Sequence, residues 1–315
     1  MAVWETLIDY TVPSNTSSIT FNNFGTITKN DFIRVVASIR NSSNLNIQTG
    51  LYANNQINAN QWRRNSTTIF GTSTAATIAT QNVFFQCAAN QHSFHNNYLK
   101  LTETDHIVHF IDKTFNNNDI RLFATTQTSL DQYTNGISTL NISGNSIGSG
   151  SRIQVYKLNA VKVADITVTS NTTRLDITGL DFNLNDEYLL LSDNSTTNSF
   201  TEYEVFVNND TTRTNYKFLR WESTGSGLVT AWNQNPPFNY GEKSFSYTFL
   251  HLSNGSRFHY ESQNIRKIGE TSPFFYQIMG SGKLAHSSIT ELNIISQNRS
   301  NGIEVGNRFQ LYKMT

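Results

Sequence analysis

The nine residues Gly150–Leu158 return at the far end of the chain as Gly306–Met314, an offset of 156 between positions 150 and 306. Within them Arg152, Gln154, Tyr156 and Lys157 recur unchanged as Arg308, Gln310, Tyr312 and Lys313. The apolar Ile153, Val155 and Leu158 meet Phe309, Leu311 and Met314, which keeps the alternation of a strand with one buried face. A chain that writes one strand pattern twice is constrained to repeat the fold around that strand, provided the offset holds elsewhere.

It holds in three further blocks, in the same order. Val12–Phe21 aligns with Val168–Ile177 at the same offset, which carries on to pair Phe24 with Leu180, Asp31 with Glu187 and Phe32 with Tyr188. Leu51–Asn55 aligns with Val205–Asn209 at 154, placing Trp62 opposite Tyr216, and Ile137–Ile142 aligns with Ile289–Ile294 at 152. The dipeptide His109 and Phe110 matches His259 and Tyr260. Loop insertions shift an offset in this way after a domain has been duplicated. The chain therefore reads as two tandem homologous domains, residues 1–159 and 160–315, each large enough to bury its own core.

The local patterns predict an all-β fold. Segments such as Phe32–Ile39 and Arg152–Leu158 are rich in β-branched residues, and breaks marked by Asn and Gly recur every 8–14 residues. That spacing belongs to a β-sandwich or jelly roll. No sustained three-four apolar spacing appears, so helices are expected to be few and short. Residues 72–80 read as a loop, and Gly225, Gly227, Pro236 and Pro237 predict another over residues 222–241.

Charge and composition narrow the function classes. Lys plus Arg and Asp plus Glu both total 23, and no basic stripe exists beyond the pair Arg63 and Arg64, which argues against nucleic acid. No run approaches the roughly 18 apolar residues of a membrane-spanning helix, and the first residues lack the pattern of a signal peptide. The single cysteine, Cys87, lies in an apolar run and is expected to be a buried, inert thiol.

Catalytic signatures are absent: there is no nucleophile elbow, phosphate loop or zinc-protease helix motif. His92 with His95, and His106 with His109, have ligand-like spacings. Residues three apart on a strand point to opposite faces, however, so no metal and no cofactor are expected. Two acids on separate strands would leave no local pattern, so a glycan depolymerase stays open as a third reading behind two non-enzymatic ones. The candidate ligand-binding residues are Trp221, Trp232 and Tyr240, whose flat rings suit sugar stacking. The candidate subunit contacts are Val3, Trp4, Leu7 and Ile8, an apolar segment at the start of the chain.

The opening Val12–Thr16, the element Tyr52–Asn55 and the closing Gly150–Lys157 together resemble β-sandwich domains of tailed-bacteriophage structural proteins, in both halves. The resemblance implies a virion component of the capsid-decoration, head-fibre or tail-adhesin type, made in the bacterial cytoplasm and carried on the particle's exterior. It implies partners among other virion proteins, a homo-oligomer such as a trimer, and host surface glycan as an alternative ligand. It carries over no functional residue, because its motifs are structural. The second copy departs from it with Phe206 for Tyr52 and Thr169 for Pro13.

Overall fold

The computed structural model describes residues 3–43, 47–54, 62–70, 77–79, 85–87, 90–116, 119–127, 133–197, 199–223, 228–233, 236–253, 256–268 and 274–314. These residues are almost wholly β. The first half holds β1 (Trp4–Thr11), β2 (Thr16–Phe21), β3 (Phe32–Arg40), β4 (Ile47–Ala53), β5 (Trp62–Phe70), β6 (Thr77–Ala79), β7 (Phe85–Cys87), β8 (His92–Leu101), β9 (Ile107–Asn116), β10 (Asp119–Gln127), β11 (Leu140–Ile147) and β12 (Arg152–Leu158). The second holds β13 (Val161–Thr167), β14 (Arg174–Phe182), β15 (Glu187–Asn194), β16 (Glu202–Val207), β17 (Tyr216–Ser223), β18 (Leu228–Asn233), β19 (Pro237–Tyr240), β20 (Ser244–Leu252), β21 (Arg257–Arg266), β22 (Phe274–Ala285), β23 (Ile289–Ser296) and β24 (Arg308–Lys313).

Strand order runs β1-β12-β3-β8-β9-β10-β5-β6 in a large antiparallel sheet and β2-β11-β4-β7 in a small one. Adding twelve to every number reproduces the sheets of the second half. Without β5, β6, β9 and β10, what remains is β1-β12-β3-β8 facing β2-β11-β4-β7, the two four-stranded sheets of a jelly roll. The four additional strands widen one sheet of each roll. That widened sheet is what the two halves use to meet.

The recurring polar residues hold this topology at equivalent points. Arg152 donates from Nε and Nη2 to the Asp9 carboxylate at 2.8 and 2.6 Å, and Arg308 does the same to Asp165 at 2.8 and 2.8 Å. Gln154 and Gln310 add a bond to the same two carboxylates at 3.2 and 3.3 Å. Lys157 pairs with Asp31 at 2.8 Å and Lys313 with Asp186 at 3.0 Å. Asn54 and Asn208 both sit at positive φ, where a short polar side chain is tolerated. Each accepts a backbone N–H bond across the sheet, Asn54 from Ser138 just before β11 and Asn208 from Thr290 in β23.

These bonds also correct the alignment. Lys157 faces Ile33, whereas Lys313 faces Tyr188, so Ile33 corresponds to Tyr188 and the local offset is 155. Asp31 therefore corresponds to Asp186, not Glu187: Asp31 accepts the N–H of Thr28, and Asp186 accepts that of Asn183. Phe32 and Tyr188 are not equivalent, since Phe32 lies between the halves and Tyr188 in a sandwich core. The same one-residue slip separates Phe110 from Tyr260, which face opposite sides of their sheets.

Three apolar cores result. One lies inside each sandwich, built in the first half around Ile33, Val35, Leu99 and Val155, and in the second around Tyr188, Leu190, Phe206 and Tyr260. The third lies between the outer faces of the two large sheets, where Phe32, Tyr98 and Phe110 meet Leu189, Leu191, Phe245 and Tyr247. The molecule is thus four layers deep, with the large sheets in the middle. Tyr247 sits against Tyr98 at 4.9 Å and edge-on to Phe110 at 5.1 Å between ring centroids. Each fully buried aromatic of this layer contributes roughly 1.5–3 kcal/mol of transfer free energy.

Two predicted loops are in part strands. Thr77–Ala79 pairs with β5, and residues 222–241 contain β18 and β19. Pro237 is the first residue of β19, an edge strand of the small sheet, where a missing N–H removes no ladder bond.

Candidate functional site

The two large sheets use different ends of their outer faces to meet. The first copy presents Phe32, Tyr98 and Phe110, and the second presents Leu191, Phe245 and Tyr247. Around this apolar layer lies a polar seam. Lys100, 1% exposed, sits on the outer face of β8 and donates from Nζ to the carbonyl of Lys29. Asp193 is buried on the outer face of β15 and accepts the N–H of Glu103 at 2.8 Å and of Ser195 at 3.0 Å. Burial pulls the Lys100 ammonium down to about 8, and the charges of Asp193 and Glu103 oppose that fall. Burial likewise raises the Asp193 carboxyl above its ordinary range. Both partners shift toward their neutral forms, so desolvation outweighs their mutual attraction.

Arg308 closes the seam. Besides Asp165, its guanidinium donates to Glu103 at 2.9 Å and to Asn30 at 2.8 Å across the junction. The Arg308 bonds to Asp165, with a further one from Lys162, hold that carboxyl well below the ordinary carboxylate range. The sequence reading missed Lys100, Asp193 and Glu103. The available signal was a lysine at position 100 inside the apolar run Tyr98–Leu101, where burial of the flanking residues carries the charge inward.

The residues named for subunit contact are engaged within the chain. Val3 and Trp4 pack into the layer between the halves, with Trp4 6.4 Å from Phe32 and 6.3 Å from Tyr98 and the Arg34 guanidinium over its ring. Leu7 and Ile8 pack against the first sandwich core. They also line a groove of about 660 Å³ that opens between β1 and β2, the edge strands of the first half's two sheets. Tyr10 and Phe21 meet edge-on in that groove at 5.6 Å, beside Asn22 and Asn23.

The residues named for ligand binding are not brought together on a loop. Tyr240 is 3% exposed on β19, stacked on Tyr276 at 5.1 Å beneath the Arg220 guanidinium, so its ring is a core ring and not a sugar platform. The backbone places Trp221 opposite Thr230 and Trp232 opposite Leu219, and both side chains lie outside the described residues. A second hollow, of about 430 Å³, opens on the outer face of the second large sheet between His251, His259, Glu261, Met279 and Lys217.

The chemistry-bearing residue types have structural partners. His92 is exposed and His95 buried on opposite faces of β8; burial pulls the His95 imidazole down to about 3, and Ser93 Oγ lies 2.7 Å from its Nε2. Among the described residues no group of His, Cys, Asp and Glu is placed to hold a metal. Cys87 is buried, its thiol pushed up by desolvation and directed at the carbonyl of Gln91 at 3.2 Å. Glu202 and Glu204 share one face of β16, and burial raises both carboxyls. Arg213 grips both oxygens of Glu204 at 3.0–3.1 Å, and neither hollow reaches these acids. A carboxylate held at both oxygens is an anchor.

No family model matches the chain, and no curated protein matches it in sequence. Solved structures that resemble it include domains LG4-5 of the mouse laminin alpha1 chain, at 10% identity over 96% of this chain and 85% of that one, with a TM-score of 0.18. Another is the Sulfolobus Turreted Icosahedral Virus structure, at 12% identity over 98% of this chain and 89% of that one, with a TM-score of 0.21. Overlays this loose carry no argument about the chain, whose β-sandwich fold rests on its own strand order.

Proposed function

We propose that the chain is a non-enzymatic structural protein on the exterior of a bacteriophage virion, a capsid decoration protein that holds neighbouring subunits together. The observation that supports this reading is where the recurring and buried polar residues go. Arg152, Gln154 and Lys157, with their counterparts Arg308, Gln310 and Lys313, tie strands and turns to one another. Among the described residues, Phe32, Tyr98, Phe110, Phe245, Tyr247 and Phe275 gather on the broad sheet faces that join one jelly roll to the other. A low charge density suits surfaces that pack closely through shape and hydrogen bonds. In this reading the partners are virion proteins, and the protein is made in the host cytoplasm.

Copy number tests it. Quantitative mass spectrometry of purified particles is expected to find hundreds of copies per virion, with antibody label spread over the capsid in electron micrographs. A handful of copies at a tail tip, or none, would overturn it.

The groove between β1 and β2 favours a second reading, a head-fibre or tail protein that recognises host glycan. Tyr10 and Phe21 offer ring faces and edges there, and Asn22 and Asn23 offer amide donors and acceptors. On a glycan array that reading expects binding that Tyr10→Ala removes. Incubation with host polysaccharide is expected to release no reducing sugar under either reading.

A further inference from the structure

The contact between the two copies is not symmetric, and its asymmetry leaves half of the same contact unused on each copy. Register makes the equivalences explicit. Arg152 faces Ser38 and Arg308 faces Asp193, so Ser38 corresponds to Asp193. The next strand pairs Ser38 with Phe94 and Asp193 with Phe245, so Phe94 corresponds to Phe245. By the same steps Tyr98 corresponds to Phe249 and Phe110 to Glu261. Within the chain, Phe245 of the second copy rests against Phe110 of the first, 6.0 Å between ring centroids. The counterpart residues, Phe94 and Glu261, do not meet each other in the chain.

Both counterparts sit on solvent-facing surface. Phe94 is 43% exposed on the outer face of β8. Glu261 lines the 430 Å³ hollow together with Met279, itself 44% exposed and directly opposite Glu261 in the ladder. Charge also differs between the two surfaces. The first copy's outer face carries Arg34, with Arg152 already paired to Asp9, and the second copy's carries Glu261 and Glu187 among Lys217, His251 and His259.

We propose that a second copy of this chain repeats the internal contact, with Phe94 of one molecule entering the hollow beside Glu261 and Met279 on the second jelly roll of another. Phe94 would lie against Glu261 as Phe245 lies against Phe110 within the chain. A contact that joins one face to a different face does not close on a pair; it extends the row, into a ring where the rotation closes and an open filament where it does not. The inference does not take the virion role as a premise. Self-association in solution and copy number in the particle can therefore fail separately.

The test uses the full chain in sedimentation velocity over a concentration series. The unmodified protein is expected to form species beyond the dimer. Phe94→Glu and Met279→Glu, both at exposed positions, are each expected to weaken association at least tenfold with unchanged far-ultraviolet circular dichroism. An equimolar mixture of the two variants is expected to stop at the dimer, because each molecule keeps one sound face and the sound faces are different ones. A protein that stays monomeric at every concentration, a variant that associates like the parent, or a mixture that stays monomeric each overturns the proposal. Hydrogen exchange on the unmodified chain reads the same faces without any substitution: peptides spanning residues 92–101 and 257–266 must gain protection as concentration rises, and equal exchange at low and high concentration overturns it.

Discussion

Arg152 and Arg308 stand at one register position in two copies of one fold. Arg152 holds Asp9 and keeps 53% of its side chain in solvent, whereas Arg308 holds Asp165, reaches Glu103 and Asn30 across the junction, and keeps 15%. Tyr156 and Tyr312 differ in the same way: Tyr312 is buried between the halves and Tyr156 is only half-buried. The bonds within each copy are repeated, and the surroundings are not. What makes the copies unlike is which end of the outer face is covered. Ser38 in the first copy stands where Asp193 stands in the second, and only Asp193 has a buried lysine to face.

The strongest way to break this comparison is at that lysine. Lys100→Ala removes the buried ammonium that donates to the Lys29 carbonyl and favours a charged Asp193, and losing a buried charged hydrogen-bond donor costs about 2–3 kcal/mol. Urea unfolding is expected to show a loss of that size. Lys100→Met should recover part of it, because a similar apolar volume needs no desolvation and Asp193 stays in place to accept the N–H groups of Glu103 and Ser195. If the single substitution is silent, the seam does not hold the halves together.

The two arginines come next. Arg308→Ala removes charge-assisted bonds to two carboxylates in a partly buried site and is expected to cost about 2–3 kcal/mol. Arg152→Ala, at a solvent-exposed pair, is expected to leave the urea midpoint nearly unchanged. Equal effects would mean that the junction adds nothing to Arg308.

Histidine 95 sharpens the contrast within the cores. Its counterpart in the second copy is Ser246, since His95 faces Ala37 and Ser246 faces Ser192 in equivalent ladders. His95 is held at about 3 when folded against 6.5 when unfolded, so between those values the unfolded chain binds the extra proton. Its penalty is therefore absent above pH 6.5 and grows as pH falls toward 3, to about 2 kcal/mol at pH 5. Hydrogen exchange at pH 5 and 7, corrected for intrinsic rates, should show the first half losing protection in acid, and His95→Gln should remove that loss. The smallest difference is expected between the two turn asparagines. Asn54→Ala and Asn208→Ala each lose a backbone clamp at positive φ and should cost about 1–2 kcal/mol alike; unequal losses would show that the copies differ in more than their surroundings.

Much of the fold was legible because it rests on short-range rules. The alternation in Arg152–Leu158 and Phe32–Arg40 specifies strands, and the repeat specifies that a plan occurs twice. The register was less legible. A turn one residue shorter before β15 moves every side chain of that strand to the other face relative to the aligned sequence, and similarity of residue type cannot detect that: Phe32 resembles Tyr188 more than Ile33 does. Candidate sites were the least legible. Tyr240 falls in the loop predicted over residues 222–241, yet β19 carries it into the core. Val3 and Trp4, expected to meet another subunit, pack within the chain against the layer between the halves, Trp4 beside Phe32 and Tyr98.

The amino-acid sequence by itself determined that this chain builds β-sandwiches, that it builds one plan twice, and which faces of its strands are apolar. Period-two alternation and turn chemistry act over a few residues and need no knowledge of the whole. Only the tertiary structure decided which outer face is covered and by what. Phe94 and Phe245 are the same residue at the same register, and one is exposed while the other is buried. That choice depends on how two large sheets slide over each other, a sum over many weak contacts between residues far apart in the chain, which no local pattern records.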